Sequence, residues 1–226
     1  MQRYDLREIP FFYINLDDAK ERNEKMIKIL GDLEIKNFKR INATKHKVGQ
    51  AGTARSMLEA LEIAINPIVS PLGTPFVILE DDVEVKRWDP IIEVPENADA
   101  LYLGISGWGR MNGHSGPFVQ YDKYVYPGIH QVYNMLGGHA IMYFRDRYID
   151  LVRRVCLHAG YDIEDHPDIG FAEIQRWHNV YAVDDPYFYQ TSSDGNQRVT
   201  YIPLTEQSLH ECKRLMPEFF LPLDLI

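Results

Sequence analysis

Three consecutive acids, Glu80, Asp81 and Asp82, end the apolar run Phe76–Leu79 in the stretch FVILEDDVEV. Carboxylates set side by side repel one another, so such a triplet needs either full hydration or a cation among its oxygens. Taken alone, it reads as an acidic turn that keeps a strand end wet. The alternative is a site for a hard divalent cation. The run ahead of it is short and β-rich and follows Gly73, Thr74 and Pro75, which predicts a buried parallel strand. Ligands in open α/β sheets collect beyond the carboxyl ends of such strands. In an extended chain Glu80 and Asp82 share one side, and Asp81 faces the other.

Other polar residues fall at element ends. Asn15 closes a first strand and reads as a ligand contact or as a residue that satisfies a turn. Arg22, one turn into the next helix, reads as an anion contact or as a solvated arginine paired with Asp18. Asp168, in HPDIG with His166, has the placement of a helix N-cap. Ser193 and Asp194 sit in a polar loop that either closes over a ligand or is an ordinary turn. His139 precedes a buried strand and reads as structural. Trp108, Phe118 and Tyr124 crowd a Gly-rich stretch, where they either stack on a sugar ring or anchor the stretch.

The elements that must position these residues follow from periodicity. FFYINL (Phe11–Leu16), FKRINA (Phe38–Ala43), ADALYLG (Ala98–Gly104), HAIMYF (His139–Phe144) and VYAV (Val180–Val183) read as strands. Asp18 with Glu21 has capping-box spacing. Thr53 is placed to cap a helix whose stripe is Ala54, Met57, Leu58, Leu61 and Ile65, and Asp146 to cap another. Alternating strands and helices predict a single α/β domain over 1–226 with a mostly parallel central sheet flanked by helices. Residues 105–131 read as one long aromatic, Gly-rich loop, and 205–226 as a C-terminal helix with an apolar tail that offers a homo-oligomer contact.

Composition excludes several partners. A net charge of −9 with no basic stripe argues against nucleic acid. No run approaches the roughly 18 apolar residues of a membrane span, and the N-terminal stretch is charged too early for a signal peptide. Cys156 and Cys212 fall on apolar helical patterns, which predicts buried thiols, a reducing compartment and a cytoplasmic location.

Taken in order, YINLDDAKER, INA, the Gly-led GTARSM, LEDDV, LYLG, GHAIMYF, HPDIGF and PYFYQTSSD resemble glycosyltransferase family 25, whose members include lipopolysaccharide galactosyltransferases and relatives of the collagen galactosyltransferases. The resemblance covers about Phe11 to Asp194. It departs at Ser56-Met57, where the family has Ser-His, and at 105–131, which has no counterpart. It implies a GT-A-like fold and an inverting transfer of a galactose- or glucose-type sugar from a UDP-sugar to a hydroxyl of a glycan or glycoconjugate. It further implies Mn²⁺ or Mg²⁺ on Asp82 directly, with Glu80 reaching the metal through water or holding the ribose. Donor contacts would come from Asn15, Leu16, Arg22, Ala43, Glu80, Asp81, Ser193 and Asp194. Asp168 would be the base, with His166 and Trp108 on the acceptor side. A catalytically silent carbohydrate- or nucleotide-binding protein on the same fold is the competing reading. A phosphohydrolase is disfavoured, because no Asp-x-Asp-x-Thr motif is present.

Overall fold

The computed structural model describes residues 1–68, 75–116, 119–161 and 166–191. Phe118, Ser193, Asp194, Cys212 and the expected helix and tail at 205–226 lie outside the described residues. Along the chain run β1 (Gln2–Asp5), β2 (Phe11–Asn15), α1 (Lys20–Asp32), β3 (Phe38–Asn42), α2 (Gly49–Ile65), β4 (Phe76–Glu80), β5 (Val83–Val85), β6 (Ile91–Val94) and β7 (Ala100–Tyr102). There follow β8 (Gly109–Met111), β9 (His114–Gly116), β10 (Tyr121–Tyr126), β11 (Ile129–Val132), β12 (Ala140–Tyr143), α3 (Asp146–Ala159), α4 (Pro167–Gln175), β13 (Val180–Val183) and β14 (Phe188–Gln190).

Eight strands form one central sheet in the order β10-β11-β13-β7-β12-β4-β2-β3. It is mixed rather than mostly parallel. Junctions β2–β3, β2–β4 and β13–β7 are parallel, and the other four are antiparallel. The reason is in the connections. A parallel neighbour needs a long crossover, usually a helix, and the β2–α1–β3–α2–β4 segment alternates strand and helix in that way. Among the described residues no helix lies between β4 and β12, and β12 enters antiparallel to both β4 and β7. The strands β4 and β12 are buried almost throughout, as sequences apolar on both faces require.

Parallel pairing fixes where a ligand can sit. The chain leaves β2 toward β3 on one side and leaves β4 toward the rest of the sheet on the other. The carboxyl ends of β2 and β4 therefore flank a topological switch point, the crevice in which α/β sheets bind ligands. Right-handed crossovers running in opposite directions place α1 and α2 on opposite faces. Helices α2, α3 and α4 pack on one another. The buried Cys156 lies on α3, where burial pushes its thiol up.

Several helix starts differ from expectation. Helix α1 has Ala19 at its N-cap with no side-chain cap, because the Asp18 carboxylate goes to Lys45 Nζ at 2.8 Å. Helix α2 begins at Gly49, so Thr53 is internal and its hydroxyl bonds back to the Gly49 carbonyl. Arg145, not Asp146, is the N-cap of α3. Residues 105–131 are not one loop. Asn112 and Gly113, both at positive φ, turn β8 into β9, and Gly128 at φ +72° turns β10 into β11. Asn-Gly between strands is a strong hairpin signal, and the density of aromatics obscured it. Among the described residues no helix is long and apolar enough to cross a membrane.

Gly104, which ends the LYLG run, shows a requirement for glycine. A Cβ there would lie 2.1 Å from Nε2 of the buried His139. Replacing Gly104 by alanine is expected to lower stability by about 1–3 kcal/mol, the usual cost of overpacking. Urea denaturation would show this as a lower midpoint at unchanged slope.

Candidate functional site

Asn15 holds the switch point together. It is 1% exposed at the end of β2, and its whole side chain is engaged. Its Nδ2 donates to Asp81 Oδ2 at 2.6 Å and to the Ala19 carbonyl at 3.2 Å, while its Oδ1 accepts from Arg40 Nε on β3 at 2.8 Å. The ends of three parallel strands are tied through one amide. The sequence reading of Asn15 as a residue that satisfies a turn describes this role; both N–H hydrogens are used, and Oδ1 keeps acceptor capacity beyond its one bond.

The alternation expected beyond β4 is present. Asp81 turns toward Asn15 and α1, where Arg22 Nη1 reaches its Oδ1 at 3.0 Å. Arg22 thus pairs with Asp81 and not with Asp18. Glu80 and Asp82 turn the other way and share one donor: Nε2 of Gln190 lies 2.7 Å from Glu80 Oε2 and 3.3 and 3.2 Å from the two oxygens of Asp82. Gln190 arrives because β14 pairs antiparallel with β5, which sets Gln190 opposite Val83. Thr191 completes the clasp, with its backbone N–H and hydroxyl both donating to the Asp82 carbonyl.

Asp168 comes from the other side of the crevice. His166 is the N-cap of α4 and Pro167 its first residue, so Asp168 lies inside the first turn and caps nothing. Its Oδ2 instead accepts the N–H of Gly137 at 3.1 Å. Gly137 and Gly138 stand beside the strand end because β12 runs antiparallel to β4 and Glu80 N–H bonds to the His139 carbonyl. The far end of α4 is fixed by the buried Gln175, whose Nε2 donates to Tyr102 Oη and the Met135 carbonyl while its Oε1 accepts the Met135 N–H. Three good bonds on one buried amide leave α4, and hence Asp168, little freedom.

These residues line one open cavity of about 630 Å³, a size that holds a small-molecule or cofactor ligand. Asn15, Leu16, Arg22, Ala43, Glu80, Asp81, Asp82, His166 and Asp168 all reach its wall. Trp108 does not. It is about half exposed, and its backbone is tied to Ser106 and Leu136. Sequence reasoning passed over Gln190, Thr191, Gly137, Gly138, Lys45 and His46, which also line the cavity. The glutamine in PYFYQ was visible as a motif but carried no charge to mark it. Met57, in the place of the family's histidine, lines the wall as well. His139 is structural as expected: burial pushes its imidazole down to about 4, so it is neutral.

The electrostatics centre on Glu80 and Asp82. Burial is the chief cause that raises both carboxyls above their usual range. The charges of Asp82, Asp168 and Asp81 push Glu80 further up. For Asp82 the Gln190 amide and Arg22 pull back down against Asp81. Two neighbouring hard carboxylates, both raised by burial, are a donor set that fits Mn²⁺ or Mg²⁺. Among the described residues, no three His, Cys, Asp or Glu side chains are gathered to hold an ion unaided. An ion here would need ligand oxygens and water, the usual manner of Mg²⁺ at phosphate sites.

No family model matches the sequence, and no curated protein matches it. In structure, 71% of the chain aligns with 72% of a glycosyltransferase involved in the glycosylation of the major capsid of PBCV-1, at a TM-score of 0.45 and 12% identity. At that level of likeness neither activity nor substrate transfers, and the cavity itself must carry the functional conclusion.

Raised carboxyl pKa values set the sign of a pH effect. The folded state holds protons that the unfolded chain releases near pH 4, so stability present at acid pH is lost as pH rises through the raised folded values. With EDTA present, the melting temperature is expected to fall between about pH 5 and 8. Glu80→Gln should flatten that fall and melt at or above the parent at the alkaline end.

Proposed function

We propose that the chain is a metal-dependent, inverting glycosyltransferase of the family 25 type. It would move a galactose- or glucose-type sugar from a UDP-sugar to a hydroxyl of a glycan or glycoconjugate. The observation that supports this reading is the meeting of Glu80 and Asp82 with Asp168, from a separate element, across one open cavity at the switch point of the sheet. One side offers oxygens for a cation, and the other offers a carboxylate for a proton.

Asp82 is assigned as the direct ligand of Mn²⁺ or Mg²⁺, with Glu80 behind it through water or on the ribose. When bound, the cation supplies positive charge against the departing diphosphate. The remaining work falls to the chain's own residues. Arg22, held at the wall by Asp81, and Lys45 add cationic character on the donor side. The amino end of the 17-residue α2 lacks a side-chain cap and opens on the same cavity at Gly49, so its N–H groups and dipole favour phosphate there. Leu16 and Ala43, just past β2 and β3, bound the donor side. Asp168 takes the proton of the acceptor hydroxyl. Its Oδ2 is steadied by Gly137, and a carboxylate retains acceptor capacity beyond one bond. Fixed between Gly137 and a pinned helix, it costs no reorganisation when the proton moves.

A silent donor-binding protein is the second reading, favoured by Met57 in place of histidine and by Gln190 bridging the two carboxylates. Screening UDP-sugars for Mn²⁺-dependent hydrolysis and for thermal stabilisation separates the two, since a silent binder stabilises without turnover. Absence of both would end the donor reading.

Two substitutions are diagnostic. Asp82→Asn is expected to abolish the Mn²⁺-dependent part of UDP stabilisation, whereas Asp81→Asn should retain it, because Asp81 faces Asn15 and Arg22. Equal loss in both would remove Asp82 as the ligand. Asp168→Asn should leave the melting temperature and UDP binding near the parent values, because an amide oxygen can still accept from Gly137. Transfer should fall by about two to four orders of magnitude, the usual contribution of a general base.

A further inference from the structure

Asp168 and the acids beyond β4 stand on opposite sides of the cavity, and one short segment touches both. Gly137 donates its N–H to Asp168 Oδ2 at 3.1 Å. Gly138, the next residue, is buried beside Glu80: a Cβ built on it would lie 3.6 Å from Glu80 Oε1. The same point is 3.8 Å from Phe171 Cε2 and 4.0 Å from Met57 Cε. Phe171 is on α4, one turn beyond Asp168, and Met57 is on α2. All of these residues line the cavity. Between its two carboxylate stations the wall is therefore a glycine, edged by an aromatic ring and a thioether methyl.

Neither conformation nor packing requires glycine at 138. Gly137 is at φ +105°, where L side chains are strained, so glycine is needed there. Gly138 is not at positive φ. Gly52, Gly104 and Gly170 are required by packing, since a Cβ on each would come within 2.7, 2.1 and 2.4 Å of a neighbour. A Cβ on Gly138 would meet only ordinary van der Waals contacts among the described residues. The backbone thus has the conformation and the room for a methyl group, and leaves that room to the cavity. Bare backbone of this kind serves where chain and ligand approach closely. The niche also has a chemical character. Phe171 and Met57 offer apolar surface to the C–H face of a sugar ring. The acids at its two edges are the cation station and the base, between which a sugar in transfer must lie.

We propose that the sugar of the donor lies over Gly138 with its C–H face toward Phe171 and Met57, and that glycine at 138 is what leaves room for it. The proposal rests on the UDP-sugar reading and adds which residues hold the sugar as distinct from the nucleotide. The walls of the niche belong to β4, α2 and α4, whereas Leu16, Ala43 and Arg22, assigned to the nucleotide side, follow β2 and β3 or sit on α1. One substitution can therefore separate the two parts of the donor.

The test uses the full chain with Mn²⁺ and compares UDP with UDP-galactose and UDP-glucose, binding being read by calorimetric titration and hydrolysis by release of UDP. Gly138→Ala should bind UDP as the parent does. Its kcat/KM for hydrolysis of the UDP-sugar that the parent prefers should fall on the order of tenfold or more, the usual discrimination for one methyl group in a close pocket. If the parent binds a UDP-sugar without turnover, the Kd for that UDP-sugar should rise in Gly138→Ala while the Kd for UDP stays. Unchanged handling of the UDP-sugar by the variant, or an equal loss of UDP and UDP-sugar, would overturn the niche while leaving the donor reading in place. A parent that binds neither UDP nor a UDP-sugar ends the donor reading, and the assignment of the niche with it. The added methyl makes only ordinary contacts, so the melting temperature without ligand should stay near that of the parent. Ligand-induced shifts taken against each protein's own ligand-free value keep the comparison valid if it does not.

Discussion

Glu80, partly buried, and Asp82, buried, stand close together at the end of a strand that is itself buried. Two carboxylates so placed cannot both be ionised without a counter-charge or strong donors. Much of the surrounding structure answers that constraint. β14 pairs with β5 and so delivers Gln190, whose amide donates to both. Asp81, which would add a third charge to the same side, is turned away by the strand's alternation and neutralised by Arg22. Asn15 takes the other oxygen of Asp81 and ties it to Arg40 on β3.

The opposite wall is held in place by neutral parts. α4 is short and begins on Pro167, which supplies no N–H and fixes the first turn. Its position comes from Gln175 in the core and from close packing on α3: a Cβ on Gly170 would lie 2.4 Å from Val155 Cγ1. The helix therefore carries Asp168 into the cavity at one end and leads to the exposed Trp177 at the other. A buried amide pins it rather than a buried charge, so the charge it brings to the carboxylates is that of Asp168, which raises Glu80.

Legibility in the sequence follows the range of each interaction. The strands β2, β4 and β13 were readable because burial on both faces demands unbroken apolar runs. The side-to-side alternation of Glu80, Asp81 and Asp82 was readable because it is set by the pleat alone. Capping was read less well. Asp18, Thr53 and Asp168 all have side chains suited to a helix start, yet Lys45, the extra turn from Gly49 and the Gly137 N–H claimed them instead. Those competitors lie on other elements or in other turns, and no local rule ranks them. The Asn112-Gly113 hairpin was legible and was lost among aromatics.

The sequence by itself determined that acids would close a buried strand in an α/β chain, and which side each would face, because both depend on residues within one strand length. It did not determine the direction of β12, the arrival of Gln190 beside those acids, or the placing of Asp168 across the cavity from them. Each of these depends on pairing or packing between segments far apart in the chain: β12 against β4, β14 against β5, and α4 against α3 and β7. Hydrogen-bonded pairing is nearly indifferent to side-chain identity, so its partners are chosen only when the whole sheet and its covering helices are assembled, and the site is assembled with them.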